Sequence, residues 1–319
     1  MSRSTVWCWC DEVFPIGDDG RMRIGFGASV SGAWAGPENL AAFAERAEEL
    51  GYDSLWTFQR LLTPADPEAL DVVYRSVLDP MVALSYVAAR TSRIRLGVAV
   101  VNLPFVSPAY LAKQASTLDV LSGGRLDLGL GIGWQREEFA ASGVTPERRG
   151  ARAEEYLEAL HTLFHDEVSA FDGEFYTVLP SRMAPKPVGP AVLLGGAAEA
   201  ALRRAGRLAD GWMSRSATDL TKISGQIAVV REAAERAGKD PAGVRIVVRG
   251  VVRAGGDSDQ RLAGSYDKIR EDTAWLGEQG VTEVFYDLNW DPQIGSPDVD
   301  PAAATARAEE ILHELSPGR

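Results

Sequence analysis

The chain has 319 residues, 45% hydrophobic and 24% charged, a composition ordinary for a globular protein and long enough to bury a core without staples. With 33 basic and 45 acidic residues the net charge is −12, which excludes a general nucleic-acid or anionic-membrane surface; an anionic cofactor needs a local basic or backbone N–H site. No apolar run is long enough to cross a bilayer, and Cys8 and Cys10 are too close together to staple a fold, so a cytoplasmic location is the default expectation.

Residues 1–21 hold both cysteines and two of the eight tryptophans, and end in IGDDGR before Met22. They lack the basic start and long apolar stretch of a signal peptide. They are read as an extension outside the fold, with Met22 as an alternative start and residues 22–319 as one domain. A Cys-x-Cys metal site has no partner ligands in view, and no metal is expected.

Arg23 to Phe26 is a short apolar run, the first strand. Pro37 opens a helix to Leu50, with Leu40, Phe43, Ala44, Ala47 and Leu50 on one face and Gly51 as its stop. Tyr52 to Thr57 is a second strand and Phe58 to Val77 a long loop. Asp79 to Arg90 is a helix. Ile94 to Val101, nearly all apolar, is a strand buried on both faces. Pro108 to Leu121 is the next helix, stopped by Ser122-Gly123-Gly124. The fourth strand follows from Arg125. After it come the helices Trp134 to Phe139 and Gly150 to Phe164. Asp166 to Pro190 breaks the rhythm with a small hairpin at Phe171 to Tyr176 and a proline-rich strip. The remaining strands are Ala191 to Leu194, Gly211 to Ser214, Val244 to Arg253 and Val281 to Asp287. Their helices are Ala197 to Leu208, Leu220 to Ala237, Gln260 to Gln279 and Pro301 to Leu315.

Eight strands, each followed by a helix, predict an α/β fold: a (β/α)8 TIM barrel with an insertion after strand four. A doubly wound sheet would place one G-x-G-x-x-G turn near the start. Here Gly129, Gly131 and Gly133 follow the fourth strand with a different spacing. Active sites of such barrels lie where the strands end. That picks out Ser29, Phe58 to Arg60, Asn102, Gly131 to Trp134, Gly195-Gly196, Arg215 and Asn289. Two of these stretches are glycine corners. Glycine admits close backbone approach and φ > 0, and a helix start offers free N–H groups to an anion.

Three segments carry a family resemblance: ERAEELGYDSLW (Glu45 to Trp56), LAKQASTLDVLSGGRLDLGLGIGWQREEF (Leu111 to Phe139) and LLGGAAEAALRRAGRLADGW (Leu193 to Trp212). The chain resembles the bacterial-luciferase-like superfamily, and most of all its branch of deazaflavin (coenzyme F420)-dependent oxidoreductases. The resemblance implies a barrel with an insertion after strand four or five, which Asp166 to Pro190 fits. It implies a ring lying against the end of strand three, backed by a bulge with a cis peptide at Ala99–Val100. Gly131, Ile132 and Gly133, with Trp134 beside them, would line the cofactor, and Gly195 and Gly196 would hold its phosphate on backbone N–H groups.

The chain departs from that pattern. Relatives commonly read Asp/Glu-His after the strand-two tryptophan; here Gln59 and Arg60 take those places. A guanidinium stays charged, so Arg60 cannot act as acid or base. It could stabilise negative charge on a reduced ring or hold a substrate carboxylate, and it is the candidate catalytic residue. Trp134 replaces the catalytic glutamate of a sugar-phosphate dehydrogenase relative, which argues against that activity. Where Glu137 stands, some relatives carry an amide. His161 and His165 stand at i, i+4 without H-E-x-x-H or a third ligand; with His313 they are the only histidines, and none falls at a strand end.

Three functions remain in view. The first is hydride transfer between F420 and a small organic substrate. The second is an FMN-dependent monooxygenase of the same fold. The third is a protein that binds cofactor without turnover. Substrate choice would rest on the loops Phe58 to Val77 and Asp166 to Pro190, with Asp66, Glu68, Asp71 and Tyr74 as candidate contacts and Trp34 and Phe58 as candidate walls. A homodimer is expected from the resemblance.

Overall fold

Alternation along a strand sorts its side chains to two faces, and here one face turns outward to helices and the other into a lumen. The computed structural model describes Trp9 and residues 21–317. Eight parallel strands close a barrel in chain order: β1 (Arg23–Gly27), β2 (Ser54–Thr57), β3 (Arg95–Asn102), β4 (Leu126–Gly131), β5 (Ala191–Gly195), β6 (Gly211–Met213), β7 (Arg245–Val251) and β8 (Glu283–Asp287). β8 returns to pair with β1, Phe26 opposite Tyr286. Around them run α1 (Pro37–Glu49), α2 (Pro80–Ala88), α3 (Pro108–Ser122), α4 (Arg136–Ala141), α5 (Arg149–His165), α6 (Glu199–Leu208), α7 (Ile223–Arg236), α8 (Tyr266–Glu278) and α9 (Pro301–Glu314).

Local chemistry fixes the helix starts. Prolines open α1, α2, α3 and α9, where the missing N–H costs nothing. Asp79, Ser107 and Asp300 each accept from a first-turn N–H as side-chain caps. The insertion between β4 and β5 contains a hairpin of Ser169–Asp172 and Thr177–Ser181, longer by two residues at its start and five at its end than the small hairpin expected at Phe171 to Tyr176.

Two expected boundaries move. Gly129 and Gly131 belong to β4 rather than to a turn. A Cβ on Gly129 would meet the Val98 carbonyl and lie 2.7 Å from Met213 Sδ, so this glycine answers crowding in the lumen; of the three, Gly133 alone has positive φ, +70°. The helix expected from Gln260 begins only at Tyr266. Before it, Arg253–Ala254 pairs with Ala263–Gly264, and Ser265 caps α8 by accepting from Lys268 N.

The lumen is filled in layers. At the N-terminal end Arg245 holds both oxygens of Asp127 (2.7 and 3.1 Å) and reaches Glu283 at 2.9 Å. Arg95 grips Asp127 from the other side at 2.9 and 2.7 Å. Burial works to raise the Asp127 carboxyl, but the two arginines outweigh it and hold it well below the usual carboxylate range. Above this floor Trp56, Ala99, Leu193, Met213, Val247 and Phe285 form a separate apolar cluster. Trp56 stacks on Phe285 at 5.1 Å and donates to Glu283 at 2.9 Å. Gly97 makes room for it: a Cβ there would lie 2.6 Å from Trp56 Cζ3.

Of the N-terminal segment, Trp9 falls within the described residues. It is buried in the outer core, donates from Nε1 to the Leu208 carbonyl at 2.8 Å and meets His161 edge-on at 5.2 Å. Cys8 and Cys10 lie outside the described residues. His161 and His165 stack on each other at 4.2 Å.

Candidate active site at the barrel mouth

At the C-terminal rim β3 bulges. Val98 faces Leu128, but Leu130 faces Val101, so β3 spends one extra residue there. The Ala99–Val100 peptide within the bulge is cis, as the resemblance implies. The bulge pushes the Val100 side chain between two neighbouring strand ends. A Cβ on Gly131 would lie 2.5 Å from Val100 Cγ2, and one on Gly195 would lie 3.2 Å from Val100 Cγ1. The two glycine corners therefore form a shallow bed with Val100 at its centre.

The corner after β4 is tied down. Gly133 N donates to Asn102 Oδ1 at 3.1 Å, and Asn102 N donates to Gln59 Oε1 at 2.8 Å. Gln59, in the acidic place of the family pattern, thus links the ends of β2, β3 and β4. A Cβ on Gly133 would lie 2.9 Å from Phe105 Cζ, which with its φ confines the site to glycine. Ile132 is half-buried beside it. Arg149, at the start of α5, donates to the Gly133 carbonyl at 3.1 Å. After β5, Gly196 has φ +146° and its carbonyl accepts from Trp212 Nε1 at 2.7 Å. Ala198 caps α6 without a side-chain acceptor; Ala201 N donates to the Ala198 carbonyl at 2.8 Å, and the N–H groups before it have no side-chain cap. Glu199 stands in the same turn, paired with Arg203.

Arg60 reaches the mouth with a partner that sequence reasoning missed. Its Nη1 lies 2.9 Å from Glu138 Oε2 on α4, with both side chains at most 4% exposed. Glu138 Oε1 also accepts from Leu61 N at 2.7 Å and Leu62 N at 3.3 Å. The Arg60 guanidinium lies against two rings that meet edge-on at 6.1 Å, 4.3 Å from that of Tyr74 and 4.8 Å from that of Trp134. Trp134 is 54% exposed, so it forms the outer plate. Tyr74 meets Trp290 at 5.8 Å, and Phe58 meets Trp290 at 4.8 Å. Arg249 lies 4.5 Å from the Trp290 ring on the far side. An alternation of rings and guanidinium groups thus crosses the mouth from the β4 corner to β7.

Asn289 joins β8 to β1, donating to Asp287 Oδ1 at 2.9 Å and to the Ala28 carbonyl at 3.0 Å. Ser29 Oγ and Ser31 Oγ are buried without a hydrogen-bond partner. Trp34 instead packs on Phe43, away from this array. Asp66 and Glu68 remain exposed, Asp66 accepting from Glu68 N and Glu68 pairing with Arg75. Arg215 is exposed as well. A groove of about 520 Å³ lies on the outer wall, lined by Phe43, Arg46, Glu49, Leu312 and His313 among others. It holds no unpartnered buried polar atom and lies between α1 and α9, remote from the strand ends where barrel chemistry is placed.

A parallel barrel with a charged floor and a mouth of glycine corners, rings and guanidinium groups defines an α/β-barrel enzyme. The luciferase-like monooxygenase family model matches residues 20–318. An uncharacterized protein of Mycobacterium tuberculosis is 33% identical over 289 residues, 86% of this chain and 93% of its own. An F420-dependent glucose-6-phosphate dehydrogenase of Amycolatopsis mediterranei is 30% identical over 68% of this chain and 65% of its own. The monooxygenase RslO1 of Streptomyces bottropensis superposes with a TM-score of 0.74 at 22% identity, covering 92% of this chain and 98% of that one. An F420-dependent secondary alcohol dehydrogenase, in complex with an F420-acetone adduct, gives 0.74 at 17% identity, covering 92% and 99%. The chain belongs to the luciferase-like monooxygenase family and is an oxidoreductase.

Proposed function

We propose that the protein is an F420-dependent oxidoreductase that moves a hydride between the deazaflavin and a small organic substrate. The observation that carries this reading is the Val100 bulge set against Gly131 and Gly195, a bed that a Cβ on either glycine would disturb. A flat ring suits such a bed. Val100 with Ala99 would back the ring, and Gly131, Ile132, Gly133 and Trp134 would flank it. Gly195, Gly196 and the uncapped first turn of α6 would take the phosphate. When bound, the deazaflavin supplies the hydride chemistry at its C5.

The chain's own residues then position and shield. Arg60 supplies a fixed positive group held in place by Glu138, and Trp134 covers its outer face. Phe58, Tyr74 and Trp290 exclude water from the substrate side. Glu138 is committed to Arg60 and two backbone N–H groups, and Asp287 to Arg249 and Asn289.

Fluorescence titration with F420 and with FMN tests the reading. F420 is expected to bind at least about tenfold more tightly, a difference of about 1.4 kcal/mol, and Gly131→Val to abolish that preference by closing the bed. Tighter FMN binding with oxygen consumption would replace this reading with the monooxygenase one. Binding of neither would end both.

A further inference from the structure

We infer that Arg249 is a receptor for a neutral carbonyl oxygen on the substrate, in the half of the mouth opposite the glycine bed. On β7, Arg245, Val247 and Arg249 share the lumen face: Arg245 belongs to the floor and Val247 to the apolar layer above it. Arg249 is the next layer up. Its ring neighbours agree, with Phe285 5.6 Å below, Trp290 at 4.5 Å and Phe58 at 5.2 Å.

The side chain is 9% exposed, yet its hydrogen-bonding capacity is largely unspent. Nε lies 3.0 Å from Asp287 Oδ2 but not in line for a hydrogen bond, and Nε and Nη2 are both buried without a partner. A buried donor left unmade is costly, and a guanidinium directs several N–H groups into one plane. Burial pulls the Arg249 guanidinium below its ordinary value, with Asp287 and Tyr74 opposing, and it remains charged. The unpartnered Ser29 and Ser31 hydroxyls adjoin this array, Ser31 N donating to Asn289 Oδ1 at 3.2 Å.

Charge selects the ligand. Arg249 is already matched by Asp287, and Arg60 by Glu138, so the mouth offers unspent donors but no net positive charge. An incoming carboxylate would give up its hydration with no net positive charge to repay it. A ketone or aldehyde oxygen accepts the same N–H group at a much smaller desolvation cost. The inference rests on the oxidoreductase reading only in calling the bound carbonyl compound a substrate.

The test uses the full chain and two fluorinated probes of like shape, 4-fluoroacetophenone and 4-fluorobenzoate, followed by fluorine NMR line broadening with and without saturating F420. The ketone is expected to give saturable broadening that unlabelled acetophenone reverses, and the benzoate to bind at least about tenfold more weakly. Arg249→Gln together with Asp287→Asn keeps the site neutral and removes the guanidinium; ketone affinity should fall about tenfold. Arg249→Lys, which keeps a charged donor, should fall less. Melting temperature and circular dichroism report whether each variant folds. Equal ketone binding by the folded double variant, tighter binding of the benzoate, or no saturable ketone binding by the wild type would each overturn the assignment. If the wild type ignores F420 and FMN while the ketone pattern holds, the cofactor reading falls and Arg249 stands.

Discussion

Replacing Glu138 with glutamine should loosen the mouth more than its single atom change suggests. The carboxylate is 1% exposed, pairs with Arg60 and accepts from the backbone N–H groups of Leu61 and Leu62. Glutamine keeps an oxygen for Leu61 but leaves Arg60 as a buried cation without a counter-charge. Breaking a buried pair costs about 3–5 kcal/mol. The rings of Tyr74 and Trp134 stay against the guanidinium and offset part of this, each by about 1 kcal/mol, so the net cost should be about 1–3 kcal/mol. With 319 residues at about 2.1 cal/mol/K each, the unfolding entropy is about 0.7 kcal/mol/K, which converts that cost to a drop of about 1.5–4.5 °C. Scanning calorimetry measures it directly. A companion Arg60→Met should cost about 2 kcal/mol for the carboxylate left behind, and the double variant should recover about 2 kcal/mol of the summed loss, because no lone charge remains. A melting temperature for Glu138→Gln within about 1 °C of wild type, or strict additivity of the pair, would refute the view that this pair organises the mouth.

Other outcomes follow from the same geometry. Gly97→Ala puts a Cβ against the Trp56 indole and should cost about 1–3 kcal/mol, read by calorimetry and by a shift in tryptophan emission as the ring leaves Phe285. Trp134→Ala should uncover Arg60 and cost about 1 kcal/mol, while leaving far-UV circular dichroism unchanged. Asp127 titrates below its unfolded value, so its contribution is fully present above about pH 3.9 and is lost as pH falls through the folded value. Below pH 3.9 the unfolded state binds the extra proton, and stability there rises with pH. Asp127→Asn should remove that contribution, flattening the slope between about pH 3.5 and 2 by about 1.4 kcal/mol per pH unit, as measured by urea titrations at each pH.

The barrel was legible because each βα unit carries its own punctuation. Pro37, Pro108 and Pro301 mark helix starts, Gly51 and Gly123 mark stops, and β3 reads as a nearly all-apolar run. The glycine corners were legible from the strand ends at which they fall, and the Val100 bulge only through the family resemblance. What stayed hidden was pairing across the fold. Glu138 sits in a run that reads as an ordinary helix face, and nothing local points to Arg60, 78 positions earlier. The lumen charges did leave a trace: Arg245, Val247 and Arg249 alternate on β7, and Glu283, Phe285 and Asp287 on β8. Charges at every second or fourth position of a buried strand point to an interior network, a signal that a search for motifs passes over. The helix expected from Gln260 overran because Gly264, at φ +117°, and the Ser265 cap outweigh the helix-favouring residues before them.

The interlocked Arg245, Asp127, Glu283 and Arg95 side chains close the far end of the lumen as firmly as a plug. Anything that visits the interior must enter and leave by one doorway. The glycine bed and the Arg249 half of the mouth therefore share a single opening, so a ligand proposed for either would exchange with solvent on the side where Trp134 lies exposed.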